Sequence, residues 1–128
     1  IRGTENWRLG GWQGFQGTDL EAVVDLGKVQ KINKLTMGFL QDVRSWIWMP
    51  TYVEFYGSLD GVTYFKIANL THDVPSDLAG INTRDLETAV DRNLRYIKVH
   101  AKNFGKIPDW HPGAGNEAYI FADEIIIK

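Results

Sequence analysis

Cysteine is absent from the 128 residues, so the chain has neither a disulfide framework nor thiolate chemistry. A surplus of positive charge is missing too. Fourteen basic residues face sixteen acidic ones, for a net charge of −2. That balance speaks against nucleic acid as a partner, because a phosphate backbone calls for a basic face. No apolar run approaches the ~20 residues of a membrane-spanning helix, so no membrane insertion is expected. The N-terminus lacks the charged-then-apolar pattern of a secretory signal. The chain opens at Ile1 as if in mid-sequence. We therefore expect residues 1–128 to form a single domain that is a fragment of a larger multidomain protein.

Catalytic signatures are also lacking. There is no His-Glu-x-x-His helix for zinc and no Gly-x-Ser-x-Gly nucleophile elbow. The run Pro112-Gly113-Ala114-Gly115-Asn116 has the glycines of a phosphate loop but not its Lys-Ser/Thr ending. Asp42, Asp109 and Glu117 are loop carboxylates, and a glycosidase needs two about 5 to 10 Å apart. Their spacing carries no such signature. His72 and His100 read as solvated residues of a loop and a strand.

What the chain does have is alternation. Leu20, Ala22, Val24 and Leu26 share one face, with Glu21, Val23 and Asp25 on the other. The same period of two recurs over 31–40, 51–58, 63–70, 83–90, 95–101 and 118–127. It marks strands, and nothing keeps a helical period. Leu59-Asp60-Gly61 is a hairpin turn signal. The pattern predicts an all-β fold, a sandwich or jelly roll. Its core would hold Val24, Leu26, Leu35, Met37, Phe39, Val53, Phe55, Ile97, Val99, Ile125 and Ile127. Residues 1–17 hold five glycines and read as irregular.

All five tryptophans fall in the loops 7–17, 41–49 and 103–117. An aromatic ring meets the C–H face of a sugar, and Asp, Asn, Arg or His meets its hydroxyls. These loops contain that mixture. Trp12, Trp46 and Trp110 are the candidate stacking rings, with Asp42, Arg44, His111 and Asn116 as hydrogen-bonding partners. In an extended backbone Trp46 and Trp48 point one way and Ile47 the other. Two readings stay open for each of Trp46 and Trp48: a ligand platform, or a plug in the end of a β-core.

Several segments together resemble a known family. Val23-Val24-Asp25-Leu26-Gly27-Lys28 is similar to the hydrophobic-Asp-Leu-Gly strand end of discoidin domains, also called coagulation factor 5/8 type C domains. The stretch from Pro50 through Val53 to Ser58-Leu59-Asp60-Gly61 resembles their hairpin. Leu94-Arg95-Tyr96-Ile97-Lys98-Val99 and Glu124-Ile125-Ile126-Ile127 resemble two of their strands. Phe39-Leu40-Gln41-Asp42, Ser45-Trp46-Ile47 and the residues from Pro108 to Gly115 look most like the C-terminal module of bacterial β-N-acetylhexosaminidases.

The resemblance implies an eight-stranded jelly-roll β-sandwich of the galactose-binding-domain type. It implies a non-catalytic, family 32 carbohydrate-binding module. Such a module would serve an attached glycoside hydrolase and bind galactose- or N-acetylhexosamine-type glycans. A periplasmic, cell-surface or secreted location is implied as well. A different class of function is a module that only packs against its neighbouring catalytic domain or binds a protein. The family usually carries a structural calcium at an Asp-Gly-x-x-x-Thr motif with a late Glu. Here Thr4 and Glu124 would serve, while the Asp-Gly would fall before Ile1.

Overall fold

The computed structural model describes residues 12–128. The first strand, β1, is Gln13–Gln16, inside the stretch expected to be irregular. It lies on the outside of β6, Tyr119–Ile127, with Gly14 opposite Phe121. A Cβ at Gly14 would stand 2.3 Å from Phe121 Cε1, so only glycine lets the strand lie against that ring.

Alternation over 20–40 and 83–101 predicts four strands, and the structure joins them in pairs. Leu20–Asp42 is one long strand, β2, and Ile81–Ala101 is another, β5. They pair antiparallel along their length, with register breaks between Asp25 and Gln30 and between Ile32 and Lys34. Unpaired residues at such breaks bend a strand and increase its twist. Each long strand therefore contributes one arm to each of two layers. The strands β3, Val53–Ser58, and β4, Phe65–Leu70, complete the sheet order β1-β6-β2-β5-β3-β4.

One layer consists of β1, β6 and the arms of β2 and β5 at 34–42 and 81–89. The other holds the arms at 20–25 and 96–101, with β3 and β4. The sequence predicts eight strands; the described residues form six, two of them long, in an all-β sandwich.

The core lies between the layers. Leu35, Met37 and Phe39 come from the first, and Val53, Phe55, Ile97 and Val99 from the second; all are buried in one cluster. Each such side chain contributes about 1.5–3 kcal/mol by leaving water. Four expected core residues, Val24, Leu26, Ile125 and Ile127, are only half-buried. Leu26, Ile125 and Ile127 pack on the cluster from its margin.

Candidate functional site

β2 ends at Asp42, and the chain turns through one 3₁₀ turn, Val43–Ser45. Trp46 follows in the left-handed region, with φ 68°. The chain then doubles back: Asp42 and Ile47 exchange backbone hydrogen bonds of 3.0 and 3.1 Å. Tyr119 N–H donates to Trp46 O at 2.8 Å, and Trp48 N–H to Tyr119 O at 3.1 Å, which fixes the loop on β6.

The left-handed turn breaks the alternation expected for an extended loop. Ile47 and Trp48 are both buried, and Trp46 is half-buried. Trp48 is a plug. Its ring stacks on Phe104 at 5.2 Å, and its indole N–H donates to Ser76 O at 2.8 Å.

His111 bolts the second loop onto the first. Its Nδ1 accepts from Gly113 N–H at 2.9 Å, which places the ring proton on Nε2. Nε2 then donates to Val43 O at 2.8 Å. Trp46 covers the next turn. A Cβ at Gly113 would stand 2.7 Å from Trp46 Cε2, so the ring can sit there only above a glycine. Trp110 is 55% exposed, with its ring edge-on to His111 at 5.8 Å. Asn116 is exposed and donates from Nδ2 to Gly113 O at 2.9 Å. The Lys106 ammonium pairs with Glu117 at the loop's base.

The candidate residues thus separate into groups. Trp46, Trp110 and Asn116 gather around the His111–Gly113 unit, and Arg44 stands exposed beside Val43. Asp42 and His111, expected to offer hydrogen bonds to hydroxyls, are turned inward and buried. Asp42 Oδ2 accepts from Ser45 Oγ at 3.0 Å, and Oδ1 lies 3.9 Å from Arg44 Nε. The site needs these two to hold its loops.

Trp12 is elsewhere. Gln16 pairs with Tyr119 near Trp46, but Gln13 pairs with Ala122. Trp12 therefore sits toward the far end of β6, in a cleft with Val24, Glu124 and Ile127. Of the loop 7–17, its last residues do reach the site's base: Gly17 N–H donates to Ala118 O at 3.0 Å. Its expected neighbour position beside 41–49 is taken by 71–80. Pro75 O accepts from Gln41 Nε2, and Ser76 O from Trp48.

Thr4 lies outside the described residues. Glu124 is exposed at its place in β6. Among the described residues no three His, Cys, Asp or Glu side chains gather as a metal site would require.

His100, read from the sequence as solvated, is instead partly buried between two carboxylates. Nε2 lies 2.8 Å from Asp19 Oδ2 and Nδ1 3.1 Å from Glu54 Oε1. The hydrogen bond with Asp19 raises the His100 pKa above its ordinary value, against the effect of burial. Glu54 is pulled down to about 2 by hydrogen bonds from Lys66, 2.7 Å away, and His100. Burial works to raise Asp19, but His100, the Asn103 N–H and Lys102 outweigh it and leave its pKa lowered. The sequence signal for this cluster was weak, since its members come from four separated segments.

The fold and its loop platform define a β-sandwich with aromatic side chains presented at one end. The chain belongs to the F5/8 type C domain family, whose pattern it matches over residues 2–120. No curated protein matches it. Among solved structures it is similar to CBM32-3 from a family 31 glycoside hydrolase of Clostridium perfringens, at 16% identity. That alignment covers 91% of this chain and 70% of the other, with a TM-score of 0.53. It is also similar to CpGH89CBM32-5 of the same organism, a structure in complex with GalNAc-β-1,3-galactose. There the identity is 15%, the coverage 91% and 94%, and the TM-score 0.50. The C-terminal domain of a chitobiase from Bacteroides fragilis aligns at 19% identity over 87% and 66%, with a TM-score of 0.44.

Proposed function

We propose that this domain is a non-catalytic glycan-binding module of a glycoside hydrolase, acting outside the cytoplasm. The observation that carries this reading is the pair of tryptophans on one rigid platform. Trp110 is 55% exposed beside His111, and Trp46 is half-exposed over Gly113. Exposed aromatics held by hydrogen-bonded loops stack on a sugar face without losing much conformational freedom on binding. Arg44 and Asn116 stand beside them for hydroxyls or an acetamido group. Galactose- or N-acetylhexosamine-type glycans are the proposed ligands, and a β-hexosaminidase the proposed parent, on the sequence motifs at 39–47 and 108–115.

Calorimetric titration with galactose, N-acetylgalactosamine and GalNAc-β-1,3-galactose tests the reading. Saturable binding that Trp110→Ala weakens supports it. No heat with any of these, followed by no signal on a broad glycan array, would remove it.

A second reading, a module that packs on its neighbouring catalytic domain, is favoured by the opposite end of the sandwich. Val29, Leu59 and Val62 are exposed there, Val62 at 83%. Glycan binding that persists when these three become serine separates the two readings.

A structural calcium held by Thr4 and Glu124 is a further part of the proposal. A bound cation raises the melting temperature by mass action. A melt unchanged between calcium and EDTA would discard it.

A further inference from the structure

We propose that Asp19 and a protonated His100 act as positioning residues for the 103–117 loop, so that glycan affinity falls when His100 loses its proton. This rests on the glycan-binding reading of that loop.

The loop begins at Asn103, which is buried and fully used. Its Nδ2 donates to Thr18 O and Ala118 O, both at 3.1 Å. Its Oδ1 accepts from Gly105 N–H at 2.8 Å. An Asn amide has two N–H bonds and one oxygen, so this one side chain joins the loop's first turn to its exit. Asn103 is itself held from outside, because its backbone N–H donates to Asp19 Oδ1 at 2.9 Å. The other Asp19 oxygen faces His100, and His100 faces Glu54 on β3. The connection therefore runs Glu54, His100, Asp19, Asn103, loop.

Both ring nitrogens of His100 face carboxylate oxygens. An ionised carboxylate only accepts hydrogen bonds, and a neutral imidazole has a single N–H. Only the imidazolium satisfies both neighbours. Once neutral, one ring nitrogen turns a lone pair toward a carboxylate, and a contact that held the brace becomes repulsive.

The charged and titratable groups around the ring come from every packed element. Asp19 precedes β2, and Glu21 lies on β2. Glu54 on β3 is itself bound by Lys66 of β4. Lys102, beyond β5, lies 3.6 Å from Asp19 Oδ2. The Tyr52 ring stands edge-on at 5.8 Å.

The sign follows from the raised His100 pKa, against an ordinary value of 6.5. The brace is complete at acidic to neutral pH while Asp19 and Glu54, both lowered, stay ionised. It is lost as pH rises through the folded-state pKa of His100.

The test is calorimetric titration of GalNAc-β-1,3-galactose from about pH 5 to about pH 9, with NMR assigning the His100 midpoint. Wild type should lose about fivefold in affinity across that midpoint, the low end of coupling between linked sites. His100→Gln should bind at the weaker level with a flat profile. If it fails to fold, Asp19→Asn, which keeps an acceptor for Asn103, should show the same flattening. A purely structural role predicts lower stability without a pH-dependent affinity. Wild-type affinity that stays level through the His100 midpoint overturns the proposal, as does an unchanged slope in either folded variant.

If the disaccharide binds at no pH and a broad glycan array gives no signal either, the glycan reading of this site fails separately. The brace is then judged by the backbone amide shifts of 103–117. Shifts that titrate with His100 uphold it, and shifts that stay still overturn it.

Discussion

The His111 imidazole donates from Nε2 to Val43 O across 2.8 Å, a hydrogen bond that ties together the two loops of the candidate site alongside the stacking of Trp48 on Phe104. The other ring nitrogen is spent on Gly113 N–H. His111→Ala takes the partner from the buried Gly113 amide, while Val43 O keeps the Trp46 N–H at 3.1 Å. Leaving such a group unpaired costs about 1–3 kcal/mol. Chemical denaturation should show a loss of that order, and glycan affinity should fall with it.

The three described loop tryptophans outside the Trp12 cleft should respond differently to truncation. Trp48, fully buried and hydrogen-bonded to Ser76, should cost about 3–5 kcal/mol of stability when changed to alanine. Trp110→Ala should change stability by no more than about 0.5 kcal/mol, because the residue is more than half exposed. It should weaken glycan binding by about 1–3 kcal/mol, by analogy with bases stacked on aromatic rings. Trp46→Ala, at a half-buried position, should lower both melting temperature and affinity. A Trp110 variant that melts far below wild type would show that ring to be structural.

Gly113→Ala is a sharper probe of the platform. The added methyl would meet the Trp46 ring at 2.7 Å, so the ring must move. Overpacking of this kind costs about 1–3 kcal/mol. The expected signature is a shifted Trp46 fluorescence together with weaker glycan binding. Unchanged fluorescence and affinity would mean that the ring is not held where the structure places it.

Glu54 should govern part of the acid limb of stability. Its carboxyl is lowered from 4.5 to about 2, first by Lys66 and then by His100. A lowered carboxylate contributes stability that is present above its unfolded value and lost as pH falls through its folded one. Wild type should therefore lose melting temperature between about pH 4.5 and pH 2. Glu54→Gln, which cannot ionise, should melt lower at neutral pH and show a shallower acid slope. Parallel melting curves for the two proteins would refute this assignment.

Much of the architecture was legible because a strand's side-chain period is local. Leu35, Met37 and Phe39 on one side, and Ile97 and Val99 on another, announce their buried faces without any knowledge of partners. The motifs at 50–61 and 94–99 were likewise contiguous, and they pointed to the family that the chain belongs to. Less legible was where strands begin and end. Gly27 reads as a stop, and the ladder with β5 does break there, but pairing resumes at Gln30 and β2 runs on to Asp42. The glycine-rich start hides β1: Gly14 serves close approach to Phe121 there.

The sequence by itself determined that the chain is all-β, which residues form most of its core, and that its tryptophans lie in loops. Tertiary structure decided which of those tryptophans face solvent. A left-handed turn at Trp46 sends both Ile47 and Trp48 inward, which no period-two pattern foretells. It also decided the histidines. His111 meets Val43 across 68 positions, and His100 meets Asp19 across 81. Whether a polar side chain is solvated, a bolt or a brace depends on partners brought to it by the fold, and those partners lie far outside any local window of sequence.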